Sequence, residues 1–432
     1  MSWRRIAALL LAALFVGAGV VVALNLRDET QGADSPSADA ITTRTPVDLI
    51  ARGEYLTRAG DCIGCHTVQG GVPYAGGRGI ETPFGTVYAP NLTPDPETGL
   101  GRWTANDFWR ALHNGRSRDG RLLYPVFPYP NYTRVVRADS DAMYAYLRSL
   151  PPVAQPNPPH GLGFPFNLQA SLAVWRALYF KPGAYRPDNA RPPDWNRGAY
   201  LVEGLGHCNA CHSSRNALGA PAGPLDLAGG LIPVQNWYAP SLTAADESSV
   251  VDWDVRDVVA LLKTGVSPRG TVMGPMSEVV LNSTQYLSDG DLAAMTTFLK
   301  ALPVTGSART APPPAPAARS ESQARGAALY DKHCVGCHGP QGEGIAGAYP
   351  ALAGSRAVTM ASSANLVHVV LQGGFPPTTA GNPRPFGMPP FATVLADVDV
   401  ADLLTFIRGT WGNRGAPVTA LEVSRYRSDV RP

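Results

Sequence analysis

Only six cysteines occur in this 432-residue chain, and every one belongs to a Cys-x-x-Cys pair, so none is left over to build a disulfide framework. No run of lysine or arginine stands out. The 36 basic and 34 acidic side chains leave a formal charge of +2, which argues against nucleic acid as a partner. No Gly-x-Gly-x-x-Gly follows a strand pattern, so a hydride carrier is not expected, and no metal-ligand cluster stands outside the cysteine motifs. Methionine is scarce enough, at seven, for each to be weighed as a ligand.

What the chain has is one pentapeptide written three times: Cys62-Ile63-Gly64-Cys65-His66, Cys208-Asn209-Ala210-Cys211-His212 and Cys334-Val335-Gly336-Cys337-His338. Cys-x-x-Cys-His is the signature of covalent c-type haem attachment. Two cysteines separated by two residues on a helical turn lie on nearly one face, and the next residue carries its ring beneath the iron. A redox disulfide needs no histidine after it. A structural zinc site would pair its cysteine units at short spacing, not about 125 to 145 residues apart, which is about one domain. Three covalently bound haem c groups are therefore expected, with Cys62, Cys65, Cys208, Cys211, Cys334 and Cys337 as attachment points and His66, His212 and His338 as iron ligands.

The surroundings repeat as well. Arg52-Gly53-Glu54-Tyr55-Leu56 leads into the first motif, Arg197-Gly198-Ala199-Tyr200-Leu201 into the second and Arg325-Gly326-Ala327-Ala328-Leu329 into the third. Tyr88-Ala89-Pro90-Asn91-Leu92-Thr93 recurs as Tyr238-Ala239-Pro240-Ser241-Leu242-Thr243, and Trp103 recurs as Trp253. Each unit closes with an apolar helix, expected over Asp141 to Leu150, Asp289 to Leu302 and Asp399 to Trp411, with acidic residues where the helix dipole favours them. The reading is all-α: three tandem class I cytochrome c domains with an N-terminal transmembrane helix. The ranges are 1–30 for the membrane anchor or signal, 45–185, 190–303 and 323–415 for the three domains, 304–322 for a Pro/Ala-rich linker, and 416–432 for a tail.

After Arg4 and Arg5, Ile6 to Leu24 forms an uncharged apolar run of 19 residues. It is long enough for the roughly 30 Å hydrocarbon core and longer than a usual signal core, so a retained anchor oriented N-inside is favoured over a cleaved secretory signal. Either way the haem domains are exported.

A low-spin haem needs a second axial ligand, and methionine is the one that raises its potential. Alignment of the closing helices puts Met143, Met295 and Leu403 at one position; a site that accepts leucine is core packing. Met388, between prolines in Pro385-Phe386-Gly387-Met388-Pro389-Pro390, and Met276, in Gly274-Pro275-Met276, are the expected distal ligands, with Met273 the weaker neighbour. The first unit has Phe127 at the corresponding place, and phenylalanine cannot bind iron. Its haem is either five-coordinate or served by His113 or His160. His113 is read as a solvent-facing helix residue, and His207, His333 and His368 carry no pattern.

With Thr82-Pro83-Phe84-Gly85-Thr86, Asn91-Leu92-Thr93-Pro94-Asp95, Asn282-Ser283-Thr284-Gln285-Tyr286-Leu287 and Ala380-Gly381-Asn382-Pro383-Arg384 added, the chain resembles the triheme cytochrome c subunit of bacterial membrane-bound dehydrogenases. These accompany gluconate, sorbitol, fructose, alcohol or aldehyde dehydrogenases, and similar cytochromes serve molybdenum hydroxylases. The resemblance implies a dehydrogenase catalytic subunit of flavin, quinone or molybdenum type as electron donor, ubiquinone or a terminal oxidase as acceptor, and a place on the periplasmic side of the cytoplasmic membrane. It implies no catalysis by this chain itself. Alcohol-dehydrogenase-like members usually carry methionine where this chain has Phe127.

Overall fold

The computed structural model describes residues 3–26, 45–223, 226–305 and 320–427. Most of the expected linker 304–322 and the end of the expected tail lie outside the described residues. The chain falls into two compact units, Met1–Pro187 with Glu203–His207 and Asn216–Ala220, and Asp188–Val202 with Cys208–Arg215 and Pro221–Pro432. Most of the second repeat thus shares one unit with the third, while its Glu203–His207 and Asn216–Ala220 fall in the first.

In the first unit, α1 (Trp3–Leu26) precedes α2 (Pro46–Ala59), which starts at an N-cap, Thr45, whose hydroxyl accepts from the Asp48 amide. Strands β1 (Gly79–Thr82) and β2 (Gly85–Tyr88) form a hairpin about Pro83-Phe84, with Gly79 opposite Tyr88. Helix α3 (Ala105–Asn114) begins in a capping box of Thr104 and Asp107. Helix α4 (Arg137–Ser149) closes the repeat. It starts four residues before the expected Asp141, because Asp141 is the i+4 partner of Arg137 inside the helix while Asp139 occupies the first turn. Strand β3 (Gly161–Leu162) then adds to β2, and α5 (Gln169–Tyr179) follows. These short strands are an addition to the all-α expectation.

The last turn of α1 is tied down by protein: Val22 packs on Leu122, Leu172 and Ala173, and the Arg116 guanidinium donates to the Asn25 carbonyl. Among the described residues no helix is long and apolar enough to cross a membrane. The side chains of residues 7–15, 18 and 26 lie outside the described ones. The expected transmembrane segment is thus observed as helix, not as a membrane span.

The second unit holds α6 (Pro193–Ala199), α7 (Val255–Thr264), α8 (Pro275–Asn282) and α9 (Asp289–Lys300), then α10 (Glu321–His333), α11 (Ala364–Gln372), α12 (Asp397–Gly409) and α13 (Ala420–Arg427). Helix α6 passes into a π-helical turn, Tyr200–Leu205. The stretch from Arg197 to Cys208 is one residue longer than that from Arg52 to Cys62, and the wider turn takes up the extra residue. Helix α13, within the expected tail, packs its buried Val423 into the third-repeat core of Tyr330, Leu371, Val400, Leu403 and Leu404.

One crossing builds all three repeats: α2 on α4, α6 on α9 and α10 on α12. Glycine makes each crossing possible. A Cβ on Gly53 would lie 1.9 Å from the Ala142 carbonyl oxygen, on Gly198 2.0 Å from that of Ala294, and on Gly326 2.1 Å from that of Asp402. The preceding arginine pairs across the same crossing, Arg52 with Asp139, Arg197 with Asp291 and Arg325 with Asp402. Met143, Met295 and Leu403 are all buried on the closing helices, as core packing requires.

Candidate functional site

Each motif is a single tight turn. The amide of His66 donates to the Cys62 carbonyl, that of His212 to Cys208 and that of His338 to Cys334. Among the described residues no disulfide joins the cysteines, and no group of three or more His, Cys, Asp or Glu side chains converges on a metal site. Burial pushes the Cys62 thiol far up, the Cys208 thiol up to about 12 and the Cys334 thiol up to about 11. Such surroundings disfavour a thiolate and suit an uncharged sulfur, which is what a thioether to a porphyrin supplies.

The histidines are oriented alike. His66 Nδ1 lies 2.7 Å from the Pro90 carbonyl oxygen, His212 Nδ1 2.6 Å from that of Pro240 and His338 Nδ1 3.0 Å from that of Pro350. A carbonyl only accepts, so each Nδ1 carries the proton and donates. That leaves the Nε2 lone pair of all three rings available to a metal. Burial holds the rings neutral, pushing His66 down to about 4 and lowering His212 and His338. The residues therefore fit a covalently attached, histidine-ligated haem.

A second device holds each histidine from behind. Its own carbonyl accepts from the amide of Gly76, Gly229 or Gly344. These glycines have φ of 78°, 78° and 70°, and a Cβ on them would strike the same proline-containing segment that accepts from the ring. Arg78 and Arg215 also donate to the motif carbonyls of Gly64 and Ala210. None of these partners is marked by a local sequence pattern of its own. The prolines are visible in the Tyr-Ala-Pro repeat, and Tyr349-Pro350 is its remnant in the third unit.

In the loops that carry Phe127 and Met276, the carbonyl of the cap glycine after α3, Gly115, accepts from the Leu123 amide, and that after α7, Gly265, accepts from Val272. Phe127 and Met276 each follow four residues later, so they occupy one position in two copies of the same loop. Met276 is half-buried in the first turn of α8. In the third repeat Met388 is itself paired, exchanging both backbone hydrogen bonds with Gly374, and it packs on the third-repeat core. The Met273 methyl lies beside Gly374, 3.1 Å from where a Cβ would stand there, so the loops carrying Met276 and Met388 abut.

One histidine differs from expectation, and two that carry no pattern are held by distant elements. His113 is half-buried, not solvent-facing: its ring stacks on Trp109 at 4.5 Å and Nδ1 donates to the Thr133 carbonyl. His207 is half-buried against the Gly60 carbonyl, two residues before Cys62, with its ring 5.5 Å from Tyr132. His368 is fully buried and stacked on Trp237. These placements come from tertiary packing, which leaves no local pattern. His160 is exposed, and its Nδ1 accepts from the Tyr88 amide.

The cytochrome c family profile matches residues 50–151 and 323–411. The chain is 37% identical over 425 residues to the cytochrome c subunit of alcohol dehydrogenase (quinone) from Gluconacetobacter polyoxogenes, covering 95% of this chain and 89% of that one. It is 38% identical to the gluconate 2-dehydrogenase cytochrome c subunit of Pantoea cypripedii, covering 88% and 90%. With the fructose dehydrogenase cytochrome subunit of Gluconobacter japonicus the identity is 35%, over 88% of this chain and 82% of the other.

Proposed function

This chain belongs to the family of dehydrogenase cytochrome c subunits, and on that footing we propose that it carries three haem c groups and relays electrons from a dehydrogenase catalytic subunit to ubiquinone or a terminal oxidase. The observation that carries the reading is the threefold hydrogen bond from motif histidine to proline carbonyl, which sets one tautomer and one ring direction in every repeat. Bound haem supplies the one-electron chemistry, and the chain supplies attachment, orientation and shielding from water. Cys62 and Cys65, Cys208 and Cys211, and Cys334 and Cys337 would hold the porphyrins, with His66, His212, His338, Met276 and Met388 as the iron ligands. The abutting loops of the second and third repeats support electron passage between the groups those two repeats would carry.

The partner is a flavin, quinone or molybdenum dehydrogenase subunit acting on the periplasmic side of a bacterial cytoplasmic membrane. Arg4 and Arg5 ahead of an apolar run support an N-terminal anchor. The exposed Phe164, Leu168 and Leu178 around α5, the helix on which α1 packs, support a membrane-facing side of the first repeat. A chain starting at Asp34 behind a cleavable export signal should be soluble; continued tight membrane retention would assign the anchoring to another surface.

The deciding measurement is the mass of the denatured, exported protein. Three added porphyrins are expected, and the mass of the bare polypeptide would end the reading. Gentle extraction should bring a large catalytic subunit with the haem protein, and its repeated absence would favour a relay that works without a dehydrogenase.

A further inference from the structure

The three repeats do not offer the same ligands. Phe127 stands where the second repeat carries Met276, four residues beyond the amide that bonds the cap glycine. Its ring lies 5.3 Å from that of Tyr132, which is buried and donates its hydroxyl to the Gly60 carbonyl, two residues before Cys62. Phe127 therefore belongs to an aromatic wall beside the first motif, completed by Tyr129, Trp175 and Phe180.

Other side chains of the first unit are committed elsewhere. Met143 is buried at the position held by Leu403 in the third repeat. The Tyr88 amide donates to His160 Nδ1, so the proton of the neutral ring sits on Nε2, which then has no lone pair for iron. His113 bonds the Thr133 carbonyl as Lys263, its counterpart, bonds that of Leu287, so it serves as the same strut. His207 and Tyr132 both donate to the Gly60 carbonyl on the attachment side.

We propose that the first haem, attached at Cys62 and Cys65 and held by His66, keeps an open distal face walled by Phe127, which takes a neutral diatomic ligand such as carbon monoxide. This rests on the haem-bearing reading above. Phenylalanine has neither a lone pair for the metal nor an acid or base for peroxide, so binding is expected without turnover.

The test is spectroscopic and uses the full haem-loaded chain. Its haem content is fixed first by denatured mass, so that failure of the three-haem reading is recognised separately. The reduced native protein should bind about one equivalent of carbon monoxide per chain, and the oxidised protein should show a high-spin ferric signal from about one haem in three. Phe127→Met should convert that signal to low spin and cut carbon monoxide binding at least tenfold. Phe127→Leu should retain both native properties, which keeps the test usable should the methionine variant not fold. A native protein wholly low-spin and inert to carbon monoxide would overturn the proposal, as would loss of binding in Phe127→Leu or unchanged binding in a folded Phe127→Met.

Discussion

The loop that holds each motif histidine and the loop that carries Phe127, Met276 or Met388 obey different rules. In the first, the three repeats agree bond for bond: motif turn, glycine amide, proline carbonyl. In the second, the repeats offer phenylalanine, a methionine in the first turn of a helix, and a methionine in a backbone bridge. Attachment chemistry tolerates one geometry, because two sulfurs and one nitrogen must meet a rigid ring at once. A second axial position has only one bond to make or omit, so the residue offered there can differ without disturbing attachment.

The comparison can be broken most severely where the repeats are alike. Gly198→Val places a branched side chain into the Ala294 carbonyl and should cost about 3 kcal/mol through overpacking, read as a lower urea midpoint and loss of the second haem's native spectrum. Wild-type stability would mean that the α6–α9 crossing yields more readily than its geometry implies.

Changes on the unlike side should leave stability nearly intact and alter the electronic state. Met276→Leu and Met388→Leu are each expected to convert one haem to high spin and lower its potential with covalent haem content unchanged, because only the distal bond is lost. Unchanged optical and magnetic spectra in both variants would remove the ligand assignment.

The smallest effect sharpens the comparison of crossings. Arg325→Leu deletes an ion pair whose arginine is half in solvent, so only a slightly lower midpoint is expected in chemical denaturation. The Asp402 carboxyl lies below its usual range despite the opposing effect of burial, because Arg325 and Ser322 hydrogen-bond it. Its folded-state value being depressed, this contribution is present at neutral pH and fades as acid protonates the carboxylate. A variant insensitive to both denaturant and acid would show that the pair contributes nothing.

How much of this was legible follows from the range of each interaction. The cysteine motifs span five residues and could be read directly, as could the Arg-Gly pairs and the closing helices that repeat with them. Pro90 lies 24 residues from His66 and Pro350 only 12 from His338, so their shared role was hidden although the Tyr-Ala-Pro repeat was in plain view. The start of α4 was misread because Asp139, two residues before the acidic residue chosen, supplies both the first turn and the arginine partner. His207 and His368 look ordinary in sequence, since what buries them is contributed by distant elements.

Trp237 stacked on His368, Asn365 exchanging hydrogen bonds with the Tyr238 backbone, and Arg356 gripping Asp252 together fasten the second repeat to the third. Two domains so joined lose their independence under heat: disrupting either strips partners from the other, so they should melt in one calorimetric step. For a conductor of electrons this is mechanical insurance, since the two repeats cannot part until both have failed.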